Sequence, residues 1–328
     1  MSPESPIATA KQLSNPFSTG GGGPNFENQI QSLFVVLMLT GGVVPCLPPW
    51  PIKKVKLQGR NQDYNTDDFI AFTEERSSGR EAKLLAQIKH KVRFTENDAT
   101  FAEVIKAAWL DFNNEDLFDP ALDALAVISG PLSADDTESM RTILDWARHY
   151  GTGQELVENV QLGNFSSDGK RKALAALRCQ LNRANNGVDV GDDQLWRFMK
   201  CFHVLGYDLD VRSGVTLSLV QSHISQFSTD NASGIWGMVS KEVASFNQTA
   251  GTITTETVSE SVRSAFTKRV ERETIPKELT EGVTDHGPVM TYSSDEGNAL
   301  ALASLVGQWD ENSAGDRDEI RKLVEGYD

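Results

Sequence analysis

Three polar segments in the first ninety residues carry side chains that could handle phosphate. Gln87 and Lys89 stand two residues apart at the end of an apolar run, so on a strand they would point to the same side. Asp67 and Asp68 come directly before another apolar run, and Glu27 is the one charged residue of a segment that is apolar along one side. Carboxylates, an amide and an ammonium suit a core poorly. We expect the three segments to converge on one site.

An acid, a second acid before an apolar run and a Gln-x-Lys on the next apolar run together resemble the layout of the PD-(D/E)xK nuclease superfamily, and this resemblance implies phosphodiester hydrolysis. That reaction needs a divalent cation to neutralise the phosphate and to lower the pKa of the attacking water. Mg²⁺ takes hard oxygen ligands, so Glu27 and Asp68 would hold it with help from the backbone carbonyl of Ile88. Lys89 would position the attacking water or stabilise the negative charge that develops at phosphorus. Gln87 would hydrogen-bond a water beside the cation or bind the cation weakly.

The elements that must position these residues are predicted from hydrophobic spacing. A helix is expected from about Pro24 to Leu39, followed by strands Ile52–Leu57, Asp68–Thr73 and Lys83–Lys91, a helix from about Asp98 to Phe112 and a strand Ala124–Ser129. This order predicts an α/β core. Helical spacing then dominates around 133–150, 167–185, 192–205, 214–227, 232–246 and 254–272, with a short strand expected at Tyr207–Val211.

Four regions follow from this pattern. Residues 1–19 are rich in Pro and Ser and are predicted to be disordered, and residues 20–150 form the predicted core. Residues 151–272 are a mainly α-helical extension of that core. Residues 273–328 are expected to be an acidic linker with helices that lead to a regulatory region outside this chain.

Composition limits the partners. The chain has 328 residues and a net charge of −15, which argues against broad, sequence-independent attraction to nucleic acid. The basic residues nearest the predicted site are therefore the candidate DNA contacts: Lys53, Lys54, Lys56, Lys91 and Arg93. The three cysteines lack metal-ligand spacing, the N-terminus lacks a signal-peptide layout, and no apolar run approaches the roughly 20 residues that span a bilayer. A cytoplasmic protein without a membrane role is expected.

The spacing alone also permits a plainer interpretation, in which Asp67 and Asp68 form a turn and Lys89 is a solvated strand end. A family resemblance bears on this choice. The matching motifs cover roughly residues 15–270: Asn15–Gly23 with Phe26–Glu27, Leu39–Gly42, Thr66–Asp68, Gln87–His90, Phe94–Thr95, Ala108–Asn113, Ser166–Asp168 and Leu195–Lys200. In combination they resemble the DUF4297-type double-stranded DNA endonucleases, with Gln87 in the place of the second acid of the PD-(D/E)xK superfamily.

This resemblance implies a restriction-endonuclease-like (PD-(D/E)xK) core and Mg²⁺-dependent cleavage of double-stranded DNA, with Mn²⁺ as a substitute. It favours Asp68 over Asp67 as the metal ligand, since the family's acid directly precedes the apolar strand, and leaves Asp67 as the second candidate. It further implies an effector of prokaryotic anti-phage defence, of the CBASS or Avs-type STAND kind, released by homo-oligomerisation and joined to a sensor or NTPase region in the same polypeptide. The alternative is a catalytically weak DNA-binding or oligomerisation module of a larger immune assembly.

Overall fold

The structure, a computed structural model, describes residues 22–59, 63–66, 68–211, 213–228 and 231–266. The predictions for residues 1–19 and 273–328, and for Asp67, lie outside these ranges. The described residues belong to one compact unit. Its first half contains α1 (Gly22–Leu39), β1 (Ile52–Leu57), β2 (Phe69–Glu74), β3 (Glu81–Lys89), α2 (Ala99–Phe112) and β4 (Ala124–Ser129).

The second half is mainly helical. It contains α3 (Ala134–Asp136), a π-helical turn (Thr137–Arg141), α4 (Thr142–Ala147), α5 (Gly153–Gln161), α6 (Asp168–Ala184), α7 (Gly191–Cys201), β5 (Phe202–Gly206), α8 (Val215–Ile224), α9 (Ala232–Asn247), β6 (Thr252–Thr254) and α10 (Glu260–Ser264). Among the described helices, none combines the length and apolar character that a membrane span requires.

The six strands form one mixed sheet in the order β5-β4-β3-β2-β1-β6. The strands β1, β2 and β3 pair antiparallel in chain order, and β6 pairs antiparallel with β1 at the edge of the sheet. Parallel pairs need a longer crossover, and α2 supplies it between β3 and β4. β5 then continues the parallel part. The start of β2 consequently lies beside the end of β3.

Helices cover both faces of the sheet, which explains why its central strands are apolar on both sides. Phe69, Ala71 and Leu84 face the cluster formed with α1 and α9, where Phe34 packs 4.6 Å from Phe69 between ring centroids. Their strand neighbours Ile70 and Leu85 face the cluster formed with α2 and the helices from α4 to α7. The predicted α/β class and the order of the first six elements are confirmed.

Several elements of the second half differ from the sequence prediction. The helical spacing expected over 192–205 ends at Cys201, and the strand lies at Phe202–Gly206 rather than at Tyr207–Val211. The short strand β6 and the helix α5 were not predicted. Both missed strands are brief, and they are stabilised by partners that lie far away in the sequence. The sheet therefore draws on the region predicted to be a helical extension.

Candidate active site

The antiparallel pairing of β2 and β3 brings the predicted residues together at one end of the sheet. Phe69 pairs with Ala86, which places Asp68 beside Gln87 where β2 begins and β3 approaches its end. Gln87 is buried in the strand, whereas Lys89 is the last residue of β3 and is partly exposed. The sheet thus presents an acid, an amide and an ammonium along one short edge.

Asp68 is held against the backbone of β3. Its carboxylate oxygen Oδ2 accepts a hydrogen bond from the backbone N–H of Ile88 at 2.8 Å and lies 3.7 Å from Nζ of Lys89. The two side chains are only 19% and 23% exposed, which shields this ion pair from solvent more than an ordinary surface pair. The Asp68 carboxylate and the Lys89 ammonium therefore lie close together at the end of β3.

Glu27 reaches the same place from α1 through a neighbouring glutamine. Nε2 of Gln31 donates one hydrogen bond to Oε1 of Glu27 at 3.0 Å and another to the backbone carbonyl of Asp68 at 3.1 Å. Since residues four apart on a helix share a face, Glu27 and Gln31 turn together towards the start of β2. The structure therefore brings Glu27, Asp68, Gln87, Ile88 and Lys89 together.

Asp111 fixes the segment that leads into Asp68. It is fully buried on α2, and its carboxylate accepts hydrogen bonds from the backbone N–H of Asn65 at 2.8 Å and of Thr66 at 2.7 Å. The side-chain amide of Asn65 donates a further bond at 2.9 Å. Asp111 is not among the site residues predicted from the sequence. An acid within an apolar helical pattern is the signal that could have revealed it.

A histidine–aspartate pair lies next to the site. Nε2 of His90 is 2.6 Å from Oδ2 of Asp210, in the loop that follows β5. The imidazole also contacts the ring of Phe26 edge-on, with 5.4 Å between centroids. His90 directly follows Lys89, and Phe26 directly precedes Glu27. The pair therefore ties the end of β3 to α1 and to the β5–α8 loop.

The predicted DNA contacts separate into two groups. Lys91 and Arg93 follow β3 directly and are exposed at the end of the sheet where Asp68 lies. Lys53 and Lys54 are at the opposite end, because β1 runs antiparallel to β2 and its first residues pair near Thr73. Their ammonium groups lie 3.3 Å from the carboxylates of Glu74 and Glu81, respectively. The expected placement of these two lysines beside the site is wrong.

Lys56 does not present its charge at the surface. Its side chain is buried between β1 and the end of α9, and Nζ donates a hydrogen bond to the backbone carbonyl of Ala250 at 2.6 Å. This burial follows from β6, which covers β1 and was not predicted. Lys56 is therefore an internal hydrogen-bond donor, and its assignment as a DNA contact is corrected.

The donor set fits a hard divalent cation better than a soft one. The described ranges contain no group of three or more His, Cys, Asp or Glu side chains that could hold a metal ion. The Asp68 carboxylate nevertheless contacts the Ile88 backbone, and the Glu27 carboxylate is linked through Gln31 to the backbone carbonyl of Asp68. Mg²⁺ binds through one or two carboxylates and keeps several waters. The residues present therefore fit a magnesium ion that relies on water and substrate for its remaining ligands.

A large cavity of about 1080 Å³ lies at the other end of the sheet, near the starts of β4 and β5, and its lining includes none of the predicted site residues. Arg148 lines it and donates through Nη2 to the backbone carbonyl of Phe202 at 2.6 Å and to Nδ1 of His203 at 2.9 Å. Burial is the main cause that lowers the pKa of His203 to about 3, and the positive charge of Arg148 contributes to the decrease. His203 is thus kept neutral as part of the packing.

Comparison with known proteins identifies no family. No family model matches the chain, and no curated protein matches it. Among solved structures, the Cap4 SAVED/CARF-domain containing receptor of Acinetobacter baumannii with the cyclic trinucleotide 3'3'3'-cAAA is 10% identical, with a TM-score of 0.40 over 71% of this chain and 44% of that chain. The Cap4 receptor of Moraxella osloensis is 9% identical, with a TM-score of 0.38 over 75% and 50%.

This chain thus spans half or less of the length of each Cap4 receptor. Such low values identify neither an activity nor a ligand for it. What the structure establishes is an α/β fold with a six-stranded mixed sheet. The restriction-endonuclease-like class stays a prediction.

Proposed function

We propose that this protein is a Mg²⁺-dependent endonuclease that hydrolyses phosphodiester bonds of double-stranded DNA. The observation that carries the proposal is the position of Asp68. Its carboxylate contacts the Ile88 backbone and Lys89, and its backbone carbonyl is linked to Glu27 through Gln31. Two acids and a lysine that share one partly shielded edge have little value for packing. They suit a reaction in which negative charge builds up at phosphorus.

Each residue has a role that its position supports. Glu27, Asp68 and the carbonyl of Ile88 would hold Mg²⁺, which when bound neutralises charge on the phosphate and increases the acidity of water. The ammonium of Lys89 would stabilise the negative charge that develops on the phosphoryl oxygens. The contact with Asp68 limits the conformations that Lys89 can adopt, so little reorganisation is needed when DNA arrives.

Gln87 and the exposed basic residues complete the proposed site. Gln87 is buried next to Asp68, where its amide can hydrogen-bond a water or the substrate without adding a third negative charge. Lys91 and Arg93 follow at the same end of the sheet and would contact phosphates flanking the cleaved bond. Because the chain carries a net charge of −15, DNA attraction must depend on this local group.

The biological setting is proposed from the motif resemblance. The sequence motifs support an effector of prokaryotic anti-phage defence, of the CBASS or Avs-type STAND kind, that becomes active when copies of the chain assemble. A sensor or NTPase region in the same polypeptide would control that assembly. Cleavage would then depend on protein concentration when this chain is assayed alone.

Cleavage of linear and supercoiled DNA by the purified chain tests the activity. The assay is run over a range of protein concentrations with Mg²⁺ or Mn²⁺, and with EDTA as the blank. We expect Lys89→Ala and Asp68→Asn to lower the rate by roughly 100-fold or more, and Lys53→Ala to leave it unchanged. Lys53 is the matched control because it is an exposed lysine of the same sheet at the end opposite Asp68.

Two results would redirect the proposal. Metal-dependent cleavage that survives Lys89→Ala would place the catalytic site elsewhere. DNA binding without cleavage at every protein concentration would favour the alternative, a binding or oligomerisation module built on the same fold.

A further inference from the structure

Gln31 is a fully buried amide whose hydrogen bonds all reach the candidate site or a distant helix. Both bonds donated by its Nε2 go to the site, one to Glu27 and one to the backbone carbonyl of Asp68. Its Oε1 accepts a hydrogen bond from Nδ2 of Asn247, the last residue of α9. Three elements, α1, the start of β2 and α9, therefore meet at one side chain.

The orientation of this amide is set by its partners. A carboxylate oxygen and a carbonyl oxygen can only accept hydrogen bonds, so the NH₂ group of Gln31 must face Glu27 and Asp68. Its oxygen then faces α9, and Asn247 must present its own NH₂ group to it. Rotating either amide would place two oxygens against each other inside the protein, where an unsatisfied or repelled acceptor is costly.

α9 is firmly placed on α1 and can therefore hold Asn247 in position. Ile235, Val239 and Val243 of α9 are buried in the same cluster as α1. A second polar contact joins the two helices, since Nδ2 of Asn28 donates to the backbone carbonyl of Ser240 at 3.1 Å. The site thus depends on a helix that supplies none of its predicted ligands.

We propose that Gln31 and Asn247 are positioning residues, which orient the Glu27 carboxylate and fix the backbone of Asp68 for binding of a divalent cation. This inference rests on the proposed function, because it assigns these residues to the same metal site. Outer-shell partners of metal ligands commonly change metal affinity or activity by about 10–100-fold when they are replaced. Gln31 and Asn247 stand in that relation to Glu27 and Asp68.

Three variants test the inference. Gln31→Leu keeps a similar volume but removes every hydrogen bond of the amide. Asn247→Leu removes the donor to Gln31, and Asn247→Asp replaces that donor with a carboxylate of the same shape that repels the oxygen of Gln31. The matched control is Ser32→Ala, because Ser32 is also fully buried on α1 but its hydroxyl donates only to the Asn28 carbonyl of its own helix.

Mn²⁺ binding is measured by calorimetry and by the electron paramagnetic resonance signal of the free ion, and the cleavage rate is measured against Mg²⁺ concentration. We expect the Mn²⁺ dissociation constant to rise about 10–100-fold in the three variants and to stay unchanged in Ser32→Ala. Cleavage in the variants should recover at saturating Mg²⁺, which a general folding defect would not allow. Circular dichroism checks the fold, and the two Asn247 variants carry the test if Gln31→Leu does not fold.

The outcomes separate this inference from the proposed function. Wild-type affinity for Mn²⁺ in all folded variants, alongside loss of binding in Glu27→Gln, would overturn the positioning role and leave the metal site intact. Wild-type protein that neither binds Mn²⁺ nor cleaves DNA would overturn both.

Discussion

At the scale of single residues, buried carboxylates accept hydrogen bonds from backbone segments that belong to neither a helix nor a strand. The clearest case is Asp111, which receives three N–H groups from Asn65 and Thr66 just ahead of Asp68. A buried charge is costly unless it is hydrogen-bonded, and these three donors compensate it. The segment that precedes β2 therefore has a defined conformation although it is neither helix nor strand.

We predict that Asp111→Asn lowers the free energy of unfolding by roughly 1–3 kcal/mol, because an amide cannot accept all three bonds and its NH₂ group would face N–H donors. Urea unfolding measures the loss. Asp116→Asn is the control, since Asp116 is exposed in the following loop. An equal effect of the two substitutions would contradict the role assigned to Asp111.

A second residue-scale prediction concerns pH. The folded-state pKa of His203, about 3, lies below its ordinary value of 6.5. The unfolded chain therefore takes up a proton as the pH falls through 6.5 while the folded chain does not, and stability is lost progressively between about pH 6.5 and pH 3. The slope from this residue approaches roughly 1.4 kcal/mol per pH unit in that window.

His203→Gln should flatten this pH dependence, because glutamine does not titrate. The urea midpoint measured between pH 7 and pH 4 tests this, with His149→Gln as the control at an exposed histidine. If both variants kept the slope of the wild-type protein, another group would be responsible.

At the scale of elements, hydrophobic spacing predicted those parts of the fold that carry their own pattern. α1, β1, β2, β3, α2 and β4 each contain enough apolar residues to reveal their type, and their order is as predicted. β5 and β6 contain five and three residues. Their conformation depends on β4 and β1, so it follows from tertiary pairing rather than from local propensity. The same dependence concealed the burial of Lys56.

Close helix packing gives an element-scale prediction at the start of α5. A Cβ atom on Gly153 would lie 2.2 Å from the backbone carbonyl oxygen of Asp192 in α7, whereas one on Gly151 would meet no atom within 4 Å. Gly153→Ala must therefore push α5 away from α7, and we expect a loss of about 1–3 kcal/mol. Gly151→Ala is the matched control, and thermal unfolding compares the two. Similar melting temperatures of the two variants would show that the backbone around Asp192 can shift at little cost, contrary to the prediction.

At the scale of the whole molecule, an acidic protein is proposed to bind a polyanion, so the position of each basic residue matters more than the total charge. Lys53 and Lys54 are neutralised by Glu74 and Glu81, and Nζ of Lys54 also lies 4.0 Å from the ring centroid of Phe72. Lys91 and Arg93 are exposed beside the candidate site. Only the second pair can meet the same DNA segment as Lys89.

We predict that the double variant Lys91→Gln/Arg93→Gln weakens DNA binding. The slope of the logarithm of the binding constant against the logarithm of salt concentration should decrease by the amount expected for the loss of roughly two phosphate contacts. Fluorescence anisotropy without divalent metal measures both quantities while preventing cleavage. Lys53→Gln/Lys54→Gln is the control with the same change in net charge. Equal losses in the two double variants would mean that DNA responds to total charge and not to this end of the sheet.

The candidate site was predictable only in part. Glu27, Asp68, Gln87 and Lys89 could be proposed because their polar types interrupt apolar patterns within short segments. Asp111, Gln31 and Asn247 are polar residues of helices, and only their tertiary partners distinguish them from surface residues. The basic residues that lie near Asp68 are likewise determined by the antiparallel pairing of the strands. Strand direction cannot be read from the pattern of charges in the sequence.

The bond between Gln31 and Asn247 joins residues that are 216 positions apart, and this separation has a consequence for synthesis. Chains are synthesised from the N-terminus at about 5–20 residues per second. Asn247 is therefore added roughly 10–40 seconds after Gln31. The residues proposed to bind metal are made early, while the helix that orients them arrives late. A nascent chain would therefore hold an incompletely ordered site until most of this sequence has been translated.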